Sequence, residues 1–378
     1  MKILHVTPSF YPAYTYGGPT ESVFRLCDHL ARGGSEIRVL TTDANGLGRV
    51  LDVDTARELE IRDDLRVRYC RRRLRHSVSP ALLRHLPSYA RWADLVHVTA
   101  TYSFPVIPTL VVCRALGKPT VWSPRGALQR WAGSRRRMLK AGWERICRLA
   151  APRRLVLHVT SEEERAESIG RLPGIETAVI PNGVEVPEAI TRVGREGELR
   201  LLYLGRLDPK KGLENLLEAC ARLGRGAAAR WCLTVAGSGD ESYRRRLELQ
   251  IRRLELGPRV SMVGPVYGEA KRRLFEDADV AVVPSHSENF GMVVAEALAH
   301  GLPVIASRGT PWKRLEEIGC GLWVDNDPES LVDAIETASA APLLKWGEAG
   351  RQWMEREFSW SAVAARMTTL YSEVLVTG

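Results

Sequence analysis

The sequence predicts an α/β protein made of two doubly wound, Rossmann-like domains. Three observations carry that prediction. Short apolar runs alternate with helix-periodic segments through the first half, as a parallel sheet with crossover helices requires. The alternation stops at a proline-containing, polar stretch and restarts at Leu199. The chain has 378 residues, more than one typical domain holds.

In chain order, apolar runs predict strands at 2–7, 37–41, 65–69, 95–98, 120–123, 155–159 and 177–180, with helices near 21–31, 80–93, 106–116, 136–150 and 162–169. IPNGVEVP, 180–187, supplies a turn and then prolines, and 188–198 is polar. The expected domains are therefore 1–187 and 188–359. The second has predicted strands at 201–204, 231–236, 260–262, 280–283 and 304–306, with helices at 213–223, 241–254, one ending near 277, and 292–300. Helical patterns at 328–338, 343–357 and 361–375 close the chain. Two such domains imply a cleft between them.

Composition narrows the classes. Hydrophobic residues make up 45% and charged ones 26%, ordinary for a soluble globular chain, and no apolar run approaches the roughly 20 residues of a membrane span. MKILHVTPSF reads as a strand rather than a signal peptide, which points to the cytoplasm. The seven cysteines are scattered without C-x-x-C spacing, against a disulfide framework or zinc site. The charge is uneven: residues 1–190 hold 29 Lys+Arg against 19 Asp+Glu, or +10, and the remainder 25 against 26, or −1. Arg71-Arg72-Arg73 with Arg75 form one basic cluster. Arg135-Arg136-Arg137 with Lys140 open an amphipathic segment that includes Met138, Leu139, Trp143 and Ile146. Such a segment suits an anionic membrane surface or a phosphorylated acceptor, with a solvated face as the alternative. No nucleic-acid-binding signature accompanies the charge.

The most informative stretch is PSHSENFGMVVAEALAHGLP, 284–303. It follows the apolar run 280–283, so Ser285 to Asn289 form a loop at a strand's C-terminal end. A helix should begin near Gly291 with Asn289 as its N-cap. Glu288 then stands outside the helix and Glu296 about a turn and a half inside. Carboxylates accept hydrogen bonds from hydroxyls, and helix N–H groups suit phosphate, a combination that describes a nucleotide sugar. Upstream, GRLDPKKG, 205–212, follows the first strand of the second domain, where an open α/β sheet binds ligands. A turn on Asp208 and Pro209 lets Arg206 and Lys211 point the same way.

The two glutamates, the N-F-G core and the following E-A-L-A-x-G-x-P-V resemble the retaining glycosyltransferases of family four, enzymes of the two-domain GT-B fold. The resemblance implies that Glu288 contacts the donor sugar, that backbone groups of Asn289, Phe290, Gly291, Met292 and Val293 reach sugar and phosphate, and that Glu296 binds the ribose. GRLDPKKG resembles the family's G-R-L-x-x-x-K-G, which assigns Arg206 and Lys211 to the donor diphosphate. Cations fixed there would stabilise a departing diphosphate more than the bound donor. By the same resemblance, Gly17-Gly18 lets amides approach the donor phosphate across the cleft, and Gly237 with the 264–267 loop borders the nucleotide base. The last helix, 360–378, is expected to return to the first domain.

Ser123-Pro124-Arg125-Gly126 resembles a motif of relatives acting on lipid-linked or cell-surface saccharides, which puts Arg125 near an acceptor or donor phosphate. A structural salt bridge is its alternative. At 95–100 many relatives have His-x-His-Gly, whereas here Thr99 replaces the second histidine. His97 is expected on the opposite strand face, in the core. Asp52-x-Asp54, Asp277-x-Asp279 and Asp325-x-Asp327 do not follow apolar strands, so no metal or other cofactor is expected. The implied activity is metal-independent, retaining transfer from a nucleotide-diphosphate sugar to a saccharide or lipid-linked saccharide, in bacterial surface polysaccharide synthesis. A small-glycoside synthase or phosphorylase on the same fold, or a silent nucleotide-sugar-binding subunit, are the alternatives.

Overall fold

The computed structural model describes residues 1–16, 18–46, 48–74, 77–129, 137–192, 197–223 and 230–376. Gly17, Arg75, Arg135 and Arg136, singled out above, lie outside the described residues. The chain divides into two compact units, Met1–Gly183 with Trp360–Gly378, and Val184–Ser359. The division comes ahead of Pro187 for a local reason. Val184 N donates to Phe358 O at 2.7 Å, and Arg351 Nη2 donates to Pro187 O at 2.5 Å, so the end of IPNGVEVP is stitched into the second unit.

In the first unit, β1 (Lys2–Val6), β2 (Glu36–Thr42), β3 (Leu59–Arg62), β4 (Leu65–Cys70), β5 (Leu95–Thr99), β6 (Thr120–Ser123), β7 (Leu155–Val159) and β8 (Glu176–Val179) form one sheet in the order 3-4-2-1-5-6-7-8. All pairings are parallel except β3 with β4. Helices α1 (Gly18–Arg32), α2 (Pro80–Trp92), α3 (Val106–Ala115), α4 (Arg137–Ala150) and α5 (Glu162–Arg171) connect them. The central strands β5, β6 and β7 are buried throughout, as continuous apolar runs in a sheet covered on both faces should be.

The second unit starts the pattern again. Strands β9 (Leu199–Leu204), β10 (Trp231–Ala236), β11 (Val260–Gly264), β12 (Val280–Val283), β13 (Val304–Ser307) and β14 (Gly321–Val324) are all parallel, in the order 11-10-9-12-13-14. Its helices are α6 (Leu213–Arg222), α7 (Glu241–Arg253), α8 (Gly268–Asp277), α9 (Met292–Ala299), α10 (Leu315–Ile318), α11 (Pro328–Ser339) and α12 (Leu343–Trp353). A π-helical turn at Met354–Phe358 continues α12, so helical backbone covers the segment expected over 343–357. Finally α13 (Trp360–Val376) packs against α1 in the first unit, where Met367 and Tyr371 are fully buried.

Strand order locates the sites. In each sheet the chain winds outward from a first strand and then returns to its other side, so the winding reverses between β1 and β5 and again between β9 and β12. Ligands of open α/β sheets bind outside the strand C-termini at such a reversal.

Candidate functional site

Two loops meet at the β9/β12 reversal, 205–212 after β9 and 284–291 after β12. Asp208 accepts from Lys210 N at 2.9 Å and folds the first loop into a 3₁₀ turn ending at Gly212. Gly212 has φ of 63°, and a Cβ there would stand 2.1 Å from the carbonyl oxygen of Pro284. Only glycine lets the loops touch so closely. His286 N donates to Lys210 O at 2.9 Å and closes the contact.

This packing sets Lys211 beside Glu288. Lys211 Nζ and Glu288 Oε1 form an ion pair, and Ser285 Oγ donates to the same oxygen at 2.7 Å. Their side chains keep 20% and 12% exposure. Arg206 is exposed at the same strand end, and its carbonyl accepts from Tyr203 OH at 3.0 Å. Burial pushes the Lys210 amine down, partly offset by Glu288.

The 284–291 loop ends in α9. Its N-cap is Gly291, with φ of 79°, and not Asn289. The reason is the left-handed backbone at the residue that flanks the helix, where a Cβ would also stand 3.2 Å from Trp312 Nε1, so glycine takes the position without a side-chain cap. Phe290 is buried and its carbonyl accepts from Trp312 Nε1 at 2.6 Å, which anchors the turn from below. The amides of Met292 and Val293 open the helix, so this N-terminus can receive an anion. One and a half turns on, Glu296 pairs with Lys271 of α8 at 2.6 Å. Partly exposed ion pairs contribute roughly 0–1 kcal/mol each. Ionised groups gathered at this strand end are therefore a poor stability device and a good polar binding surface.

Gly237 lies in the neighbouring loop, after β10, where its N donates to Gly264 O at 2.8 Å. It thus joins the two loops that the sequence assigned to the nucleotide base. Lys271 and Ser285 were not singled out from the sequence. Lys271 stands 25 residues before Glu296 with no motif linking them, and only the β12 crossover brings α8 beside α9. The acidic pairs considered for metal have local roles. Asp279 holds Arg200 through both oxygens at 2.5 and 2.9 Å, Asp327 caps α11 through Ser330 N at 2.9 Å, and Asp54 accepts from Ala56 N at 2.8 Å.

At the first unit's reversal the chemistry differs. His5 Nε2 lies 2.8 Å from Thr99 Oγ1, and its ring stacks on His97 with centroids 4.3 Å apart. His97 and Thr99 therefore share one face of β5. This corrects the expectation that they oppose each other, since residues two apart in a strand always point the same way. Thr99 is buried, as is His97. A hydrogen-bond chain runs Tyr371 OH–His97 Nδ1 at 2.6 Å, His97 Nε2–Ser123 Oγ at 2.6 Å, Ser123 Oγ–His158 Nδ1 at 2.7 Å and His158 Nε2–Ile180 O at 2.9 Å. The Ile180 carbonyl can only accept, so His158 donates from Nε2 and accepts at Nδ1. Ser123 must then donate to His158, His97 to Ser123, and Tyr371 to His97.

Burial holds these rings neutral. It lowers His5 and His158 to about 3, with Arg125 adding to the effect, and lowers His97 well below its usual value. Arg125 follows β6 with φ of 54°, a left-handed conformation uncommon for arginine. Its Nη1 donates to Asn182 Oδ1, and the neighbouring Glu164 accepts from Thr160 N at 2.8 Å. Gly18 is the exposed first residue of α1, where its carbonyl accepts from Ser22 Oγ at 2.8 Å.

Two doubly wound α/β units, one carrying cations, carboxylates and a helix N-terminus at its reversal point, define a two-domain protein suited to a phosphorylated, hydroxyl-rich ligand. The comparisons give that class its family. The model "Glycosyltransferase Family 4" matches residues 16–187, and "Glycosyl transferases group 1" matches 188–353. The GDP-mannose:cellobiosyl-diphosphopolyprenol alpha-mannosyltransferase of Xanthomonas oryzae pv. oryzae is 30% identical over 345 residues, 89% of this chain and 87% of that protein. An uncharacterized glycosyltransferase of Methanocaldococcus jannaschii is 30% identical over 185 residues, spanning 47% of this chain and 45% of the relative's length. Among solved structures, sucrose-phosphate synthase of Thermosynechococcus elongatus superposes with a TM-score of 0.74 at 23% identity, over 100% of both chains. The chain belongs to glycosyltransferase family 4 and has the GT-B fold.

Proposed function

We propose that the protein is a retaining glycosyltransferase that moves a sugar from a nucleoside-diphosphate donor to a hydroxyl of a saccharide or lipid-linked saccharide. The observation that carries this reading is the Lys211–Glu288 pair, which joins the two reversal-point loops beside the N-terminus of α9. In this reading Arg206 and Lys211 hold the diphosphate, the first amides of α9 share its charge, Glu288 accepts from the sugar hydroxyls and Glu296 from the ribose. Lys211 leaves Glu288 for the diphosphate, which frees the carboxylate for the sugar. The leaving phosphate takes the acceptor's proton, so no side-chain base is required, and Thr99, already bonded to His5, is not an essential proton carrier. Arg125 and Thr99 lie on the acceptor side.

The relative from Xanthomonas is named for a GDP-mannose donor and a diphosphopolyprenol-linked acceptor, which supports a nucleotide sugar and a lipid-linked saccharide as the substrate classes here. The corresponding role is surface polysaccharide synthesis at the cytoplasmic face of a bacterial membrane. No helix among the described residues is long and apolar enough to cross a membrane. The two cations take the place of a metal, and no cofactor is required.

The test is a thermal-shift screen of nucleoside diphosphates, followed by nucleotide release from the matching nucleotide sugars with and without saccharide acceptors. Release that requires an acceptor, with the donor's anomeric configuration kept in the product and turnover unchanged by a chelator, is the expected result. Binding without turnover on any acceptor would replace this reading with that of a silent binding subunit. Glu288→Gln should loosen discrimination between donor sugars while free nucleotide still binds.

A further inference from the structure

The outward face of α4 is apolar where a surface helix is normally polar. Met138 is 89% exposed, Leu139 71%, Ile146 49% and Leu149 65%. At about 100° per residue these four fall within one sector of roughly 100°, with Gly142 inside it. The opposite face is the one that packs. Cys147 and Ala150 enter the first unit's core, and Trp143 Nε1 donates to Thr101 O at 2.8 Å.

The rim of the stripe is basic. Arg145 and Arg148 are exposed and line a groove of about 720 Å³ between α4 and α5, whose far wall carries Glu167 and Arg171, the latter paired with Glu144. Glu144 is the one carboxylate of α4, and it is buried against Arg171 at 2.8 Å and the Tyr102 hydroxyl. The exposed surface of this helix therefore offers hydrocarbon and positive charge, and no negative charge of its own.

We propose that α4 is a membrane-docking helix, lying flat in the headgroup layer of an anionic bilayer. Met138, Leu139, Ile146 and Leu149 enter the acyl boundary, and Arg145 and Arg148 meet lipid phosphates. Charge decides the occupant. A second copy paired antiparallel through this face would set arginine against arginine, and a parallel pairing would offer these arginines no carboxylate of the partner's α4, whereas anionic lipid complements both the stripe and the rim. The inference goes beyond sugar transfer and needs neither donor nor acceptor to be bound.

The experiment is co-sedimentation of the full chain with vesicles of phosphatidylcholine alone and of phosphatidylcholine mixed with phosphatidylglycerol, without nucleotide. Binding should require the anionic lipid and weaken between about 0.1 and 1 M salt. Leu139→Asp with Ile146→Asp should abolish it, and Arg145→Gln with Arg148→Gln should weaken it on the order of 30-fold. All four positions are exposed, so unchanged circular dichroism and melting temperature confirm that each variant folds. Equal binding to both vesicle types, or full binding by the Leu139→Asp, Ile146→Asp variant, overturns the proposal. A vesicle-independent dimer that this variant dissolves overturns it in favour of a second copy. Acceptor-dependent nucleotide release without vesicles is measured in parallel, so a failure of docking is distinguishable from a failure of the transferase reading.

Discussion

The two sheets reverse their winding in the same way, yet the strand ends at the two reversals are opposites. After β9 and β12 the loops carry ionised, partly exposed groups in pairs, Lys211 with Glu288 and Lys271 with Glu296. Around β1, β5, β6 and β7 the histidines are buried and neutral beside Arg125 and Glu164, and every proton in the chain from Tyr371 to Ile180 is directed by the partner after it, starting from the Ile180 carbonyl. The first arrangement can exchange its internal partners for a ligand at small cost. The second cannot lose one member without leaving a buried donor or acceptor unsatisfied. One fold thus places an adaptable binding surface on one sheet and a fixed polar core on the other.

The largest expected effect tests the adaptable side. Arg206→Ala should lower kcat on the order of 10²–10³-fold, the scale of removing one preorganised charge partner of a transition state, with little change in melting temperature. Steady-state kinetics beside thermal denaturation check this. A loss of stability in proportion to activity would place Arg206 in the structure and not in the reaction.

The fixed side should show itself in acid. His5 and His158 have folded-state values of about 3 against 6.5 when unfolded, so below pH 6.5 the unfolded chain binds more protons and stability falls. The contribution is full above 6.5 and declines toward pH 3, by about 1.4 kcal/mol per pH unit for each histidine. Urea titrations from pH 7 to 5 measure the slope. A flat profile would contradict the neutral chain. Tyr371→Phe should cost less, roughly 1–3 kcal/mol, because it strips one donor from His97. A neutral Tyr371→Phe would show that the Tyr371–His97 hydrogen bond does not help to hold α13, leaving packing and the Arg154 contact to its last turn.

The smaller effects separate binding from chemistry. Glu296→Ala should raise donor KM more than it lowers kcat, because ribose hydroxyls do not change in the reaction. Lys271→Ala should follow it in kind and be weaker, since Lys271 acts by orienting Glu296. Donor KM equal to wild type in both variants would remove Glu296 from the ribose. Thr99→Val should leave substantial turnover and cost about 1 kcal/mol of stability through His5.

Much of this fold was legible because buried parallel strands are short apolar runs. The strands that the sequence did not reveal are the atypical ones. LEIR, β3, is an edge strand with no buried residue, and GLWV, β14, is a half-buried edge strand that itself begins with a glycine. The loops around Lys211 and Glu288 were readable as local motifs. The pairing of Lys271 with Glu296 and the approach of His5 to His97 and Thr99 depend on crossovers that no motif spacing records, whereas the shared face of His97 and Thr99 follows from their two-residue spacing, and Ser285 is a local partner of Glu288. The cap at Gly291 was misplaced to Asn289 because the residue preference for N-caps yields here to a left-handed turn.

The central claim is that Lys211 exchanges Glu288 for the donor's diphosphate as transfer proceeds. The most direct measurement is nucleoside-diphosphate affinity beside turnover for Lys211→Ala. The account predicts turnover lower on the order of 10²–10³-fold with a much smaller loss of nucleotide affinity, because the cation counts most as charge develops on the leaving group. A Lys211→Ala enzyme that turns over at the wild-type rate would contradict it.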